Sequence, residues 1–156
     1  MRIAPLTAVV LAALALAACD RESPEKRSAR QVTARTLCVA EELALQAKER
    51  LAKLDTVLAG ARGTPMEQTV AAGYGFAFAL RQHADAAARS AALMDSALAA
   101  RADEDSTRLA TAAMKARPAA AAPGSVEANA AARYNLEISA ALGNPNHPCN
   151  NTEAED

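Results

Sequence analysis

Tryptophan is missing from this 156-residue chain, and the aromatic content stops at Tyr74, Phe76, Phe78 and Tyr134. A core built on large rings is therefore excluded. Charge of one sign is lacking too: 17 Lys and Arg face 18 Asp and Glu, a formal net charge of −1. With no basic field, nucleic acid is not an expected partner. Neither glycine nor proline occurs between Gly75 and Pro118, so nothing there marks a turn by its own backbone preference. Familiar catalytic signatures are absent as well: no Gly-rich phosphate cradle, no CxxCH haem attachment, no GxSxG elbow. Alanine fills the space these absences leave. It is the best helix former and a poor core filler, so the expected class is all-α with a thin interior.

The most informative segment is the N-terminus. Met1 and Arg2 give a short positive start, and Ile3 to Ala18 is apolar apart from Pro5 and Thr7. At 16 residues, the run falls short of the roughly 20 that cross a bilayer as a helix. Positive start, apolar middle and small-residue ending make residues 1–18 a secretory signal peptide, excluded from fold reasoning. Its end, Leu16-Ala17-Ala18-Cys19, resembles the lipobox of bacterial lipoproteins. The resemblance covers residues 1–20. It implies cleavage by signal peptidase II before Cys19, which then carries a diacyl lipid of the palmitate type on sulfur and an acyl chain on its amine. Each buried methylene contributes about 0.8 kcal/mol, and two or more chains anchor stably where one is marginal. The same resemblance implies a protein of the bacterial cell envelope, held by membrane lipid and facing the periplasm. Asp20 after the anchor leans towards the inner membrane, with the outer membrane as the alternative.

Loss of the signal removes Arg2 and leaves 16 basic against 18 acidic residues, a charge of −2. With Cys19 committed to lipid, Cys38 and Cys149 remain. A single leftover pair in an exported protein points to a disulfide. Closing so long a loop contributes about 4–5 kcal/mol in the chain-entropy model. The competing readings are two free thiols, or one thiol joined with His147 as a metal site. The segment "NPNHPCN" lacks the spaced second pair of zinc sites, so no metal is expected.

Residues 20–27, "DRESPEKR", read as a solvated stretch, making 19–27 the lipidated cysteine and its polar tether. One helical domain is expected over 28–149, then an acidic, disordered tail at 150–156. Helix one starts near Ser28, where Ser28-x-x-Gln31 has capping-box spacing. Its seam is Leu37, Ala40, Ala44, Ala47, Leu51, Leu54 and Leu58, and Gly60 stops it. Thr64-Pro65-Met66-Glu67 combines an N-cap, a first-turn proline and a capping-box glutamate. The short loop makes helix two an antiparallel neighbour, with a seam of Val70, Gly73, Ala77, Leu80, Ala84, Ala87, Ala91, Met94 and Leu98.

The polar run "RADEDSTR", residues 101–108, interrupts that seam, and reach decides between a break and a rod. Cys38 lies roughly 32 Å below the hairpin loop, and an unbroken helix ending at Arg117 reaches roughly 80 Å below it. A third helix over about 125–142 climbs back roughly 27 Å. The tail to Cys149 spans up to about 23 Å more, which meets Cys38. The expected architecture is an antiparallel helical hairpin with a long central helix, about 65–117, and a third helix packed back along it. A Cys38–Cys149 disulfide closes it.

Convergent chemistry is sparse. His83 shares its helix face with no nucleophile or second histidine, and His147 sits in the tail beside Cys149. Asp103, Glu104 and Asp105 lack the glycine turn and closing glutamate of a calcium loop. A haem-binding periplasmic bundle needs Met and His ligands on its outer helices, and helix one contains neither. The local oddity is "AAGYGFAFAL", residues 71–80, which holds Tyr74, Phe76 and Phe78. These rings either fold over a seam too thin to bury itself or form an exposed patch for a protein partner or a second copy. The chain therefore reads as a membrane-anchored structural or interaction module. It is no enzyme and has no cofactor beyond the covalent lipid on Cys19. The alternative is a periplasmic binder of small hydrophobic ligands, with a pocket beside Tyr74 and Phe76.

Overall fold

The computed structural model describes residues 23–100 and 104–150. The expected signal peptide, Cys19, Asp20, Asp103 and the expected tail beyond Asn150 lie outside the described residues.

Ser23-Pro24-Glu25 opens helix α1, Pro24–Ala61. Ser23 is extended, and its Oγ accepts from the Lys26 N–H at 3.2 Å. Proline at the first helical position forfeits no hydrogen bond, and Glu25 meets the positive end of the helix dipole. The helix thus begins a turn before Ser28, and Pro24 belongs to a cap rather than to a tether. It also runs through Gly60. The left-handed residue is Gly63, at φ 73°, in the turn over 62–66, where a side chain would be strained. In that turn Thr64 Oγ1 donates to Ala61 O at 2.6 Å, and Glu67 accepts from the Gly63 N–H at 2.8 Å. The residues expected to cap helix two therefore build the turn itself, and α2, Glu67–Ala99, starts at that glutamate.

Helices α1 and α2 run antiparallel. Arg30 meets Asp95 at 3.5 Å, and Lys26 Nζ donates to Ala100 O at 3.3 Å. Ala40, Ala47, Ala77, Ala84 and Ala91 are buried, while Leu37, Ala44, Leu54 and Leu58 are half-buried. Val39 and Leu43 lie off the expected seam and are nevertheless buried, because a further helix covers them.

The expected long central helix is corrected by the structure. Helix α2 ends at Ala99, and α3, Glu104–Ala116, runs back along it. Ser106 Oγ donates to Ala97 O at 2.9 Å, and Ser90 Oγ donates to Ala113 O at 2.8 Å. Each helix thus receives a hydroxyl on one of the terminal carbonyls it cannot satisfy itself. Reversal also buries Ala97 and Ala113, apolar surface that a lone rod would leave in water. The reach estimate failed because α3 ends beside Ser90, close to Ala87 and Ala88. Those two residues pack against the cluster that holds Cys149, so the tail has little distance to cover.

A linker over 117–125 leads to Ser125, whose Oγ accepts from the Ala128 N–H at 3.1 Å and caps α4, Val126–Gly143. This helix matches the expected 125–142 and packs against both α1 and α2. A 3-10 turn, Pro148–Asn150, then brings Cys149 onto Cys38, and the two form the disulfide with their Cα atoms 5.7 Å apart. The core of Val39, Ala40, Leu43, Ala84, Tyr134, Ala141 and Cys149 lies where these elements meet. Among the described residues the fold is all-α, four helices closed by one disulfide. No helix of the described residues is long and apolar enough to cross a membrane.

Candidate functional site

Laying α4 across the α1–α2 hairpin creates a cleft of about 510 Å³. Leu43, Ala47, Phe76 and Leu80 give it apolar walls, and Arg50, Arg133 and Glu137 supply charge. Arg133 pairs with Glu137 one turn along α4. With Gln46 also on the lining, four of its eight residues are apolar and four are polar or charged. The aromatic run on α2 is divided. Phe76 lines this cleft, Tyr74 is half-buried, and Phe78 is 46% exposed. A step of two residues turns a helix by about 200°, so Phe76 faces away from the side shared by Tyr74 and Phe78.

Below the cleft, His83 and Tyr134 stack with ring centroids 4.8 Å apart and planes tilted by 55°. Burial pushes the imidazole below its usual 6.5 and the phenol up to about 12 from 10, since each charged form loses hydration. For the histidine, the unfolded chain binds the proton more readily. Stability is therefore lost as pH falls below 6.5, until the folded pKa is passed. Urea midpoints taken between pH 7 and pH 5 should fall for the native chain and fall less for His83→Gln. An identical pH slope in the two chains would exclude His83 as the source.

The second cluster surrounds the disulfide. His147 Nε2 faces Glu42 Oε2 at 3.8 Å, and His147 Nδ1 accepts from the Cys149 N–H at 3.3 Å. The neutral ring consequently carries its proton on Nε2. Asn150 Nδ2 donates to Ala141 O at 2.9 Å and Asn144 O at 2.6 Å, fastening the tail to the end of α4. Among the described residues, Glu42, His147 and Cys149 are the side chains that converge as possible metal donors. Asp105 is exposed, and its carboxylate pairs with Arg108 at 3.1 Å.

No protein-family model, no curated protein and no solved structure matches the chain. The functional reading rests on its own residues.

Sequence reasoning placed Cys38, Cys149 and Phe78 and missed Leu43, Glu42, Arg50, Arg133 and Glu137. The cleft residues carry no local signal, because only the rotation of α4 brings them together. Glu42 carries one: it stands a helical turn from Cys38 and so shares its face.

Proposed function

We propose that this chain is a lipid-anchored helical protein of the bacterial cell envelope that works by binding a protein partner or a second copy, not by catalysis. The disposition of its three cysteines supports this reading. Cys38 and Cys149 are joined to each other, as suits an oxidising compartment. Cys19 is thereby left for lipid, at the end of Leu16-Ala17-Ala18-Cys19. No helix of the described residues is long and apolar enough to cross a membrane, which is compatible with attachment through acyl chains. Phe78, exposed on α2, is a ring of the kind interfaces favour.

The test separates anchor from partner. The native chain should sediment with membranes and leave them only in detergent, and its mature N-terminal peptide should carry the mass of the acyl groups. Cys19→Ser should accumulate as an unlipidated precursor. Photocrosslinking from position 78 in the same cells should trap a discrete adduct. An unmodified Cys19 in the native chain overturns the anchor, and uniform absence of adducts overturns the interaction.

The cleft favours a second reading, a periplasmic binder of small hydrophobic ligands. A two-helix hairpin would have no room for one, and α4 supplies the third wall with Phe76 on the lining.

A further inference from the structure

We infer that the corner closed by the disulfide becomes a zinc-type metal site when Cys38–Cys149 is reduced, with Cys38, Glu42, His147 and Cys149 as its four ligands. The fold assembles two half-sites. Cys38 and Glu42 stand one turn apart on one face of α1, and His147 and Cys149 flank Pro148. One ligand atom from each of Glu42, His147 and Cys149 lies within 4.8 Å of the others. Cys38 Sγ is bonded to Cys149 Sγ; it stands outside that 4.8 Å group, and reduction frees it to turn in as the fourth donor. Tetrahedral zinc, with bonds of about 2.0–2.3 Å, holds its ligand atoms roughly 3.3–3.8 Å apart. The Glu42–His147 separation of 3.8 Å must close by a few tenths of an ångström to reach the roughly 3.3–3.5 Å that zinc sets between an oxygen and a nitrogen ligand. Once reduced, the two sulfurs are no longer bonded and can take up tetrahedral spacing. Cys149 is 2% exposed while Glu42 is open to solvent, giving the ion a protected seat and an entry side.

In the oxidised chain the disulfide sulfurs carry no thiolate charge, so only the carboxylate and the imidazole can bind. A dithiol reductant opens the bond by thiol–disulfide exchange. It delivers two electrons, leaves as its own disulfide, and its two protons end on Cys38 and Cys149 as thiols. Zinc then displaces those two protons, and two thiolates, a neutral imidazole and a carboxylate complete a four-coordinate site. Binding through His147 Nε2 moves the ring proton to Nδ1 and opens the long hydrogen bond from the Cys149 N–H. Spacing rules miss the site because each half holds only two donors and more than 100 residues separate the halves.

The inference stands apart from lipidation and is tested on residues 19–156 carrying Cys19→Ser, so that only Cys38 and Cys149 supply thiols. The chain is reduced, freed of reductant without oxygen, titrated with Co²⁺ and competed with Zn²⁺, beside the oxidised chain. The reduced chain should take up one Co²⁺ with intense tetrahedral and sulfur charge-transfer bands. It should bind roughly 100-fold more tightly than the oxidised chain. His147→Ala should weaken the reduced site about tenfold or more. Should reduction unfold the chain, Zn²⁺ should restore its helical circular dichroism, and should not do so for the double variant Cys38→Ser, Cys149→Ser. Equal affinity in the two redox states, a pale octahedral cobalt spectrum, an unaffected His147→Ala or a reduced chain that zinc fails to refold would each overturn the proposal.

Discussion

Serine at both Cys38 and Cys149 is expected to destabilise the domain by about 2–5 kcal/mol, lowering Tm by roughly 10 °C. The size follows from what the bond encloses. It joins positions 111 residues apart, so α2, α3 and α4 all lie within one covalent loop. Restricting so long a loop removes much of the freedom of the unfolded chain. The noncovalent grip on the tail includes two hydrogen bonds from the Asn150 amide, one from Arg35 to Asn150 O and the contact of His147 with Glu42. Thermal melts followed by circular dichroism, on the oxidised native chain and the double variant, measure the difference. A change of less than about 2 °C, against the 2–5 kcal/mol expected, would mean that α4 is held without the bridge.

Tyr134→Ala should be comparably damaging, at about 3–5 kcal/mol by analogy with other buried aromatic deletions. Tyr134 is the one buried aromatic among the described residues, 6% exposed, and its cluster includes Val39, Ala40, Leu43 and Ala84. The alanines have no side-chain length with which to refill the gap, so the cavity term stays large. Tyr134→Phe keeps the ring against His83 and should cost well under half as much. Urea unfolding of the two variants gives the comparison. The alanine variant should also flatten the loss of stability below pH 6.5, because His83 regains water when its covering ring is gone. Equal and small losses in both variants would show that the ring is not what holds α4 to the hairpin.

Much of the helical plan was legible before any coordinates. Ser125 and Gly143 bracket α4 at the expected places, and Thr64-Pro65 marks the hairpin turn. The pairing of Cys38 with Cys149 follows from cysteine arithmetic and is present. The reversal between α2 and α3 was not legible, for a definite reason. No glycine or proline marks the corner. Two hydroxyl contacts span it, Ser106 to Ala97 and Ser90 to Ala113, and the second joins residues 23 apart in the chain. Tertiary contact overrode local propensity there. The start of α1 departs from the expected Ser28 for the opposite reason: Ser23 and Pro24 form a stronger local cap. At the candidate sites, the pattern exposed single residues and hid their convergence. Leu43, Phe76 and Arg133 share a cleft only because α4 crosses the hairpin at one particular rotation.

The exchange of serines between α2 and α3 bears on how the molecule comes apart. Helix ends ordinarily fray first, each on its own. Here the last turn of α2 leans on Ser106 of α3, and the last turn of α3 leans on Ser90 of α2. The two donors themselves sit away from those ends: Ser106 is in the first turn of α3, and Ser90 lies more than two turns inside α2. Each last turn is thus held by a better-supported part of the other helix, and its amide protons should exchange more slowly than those of a helix end without such a donor.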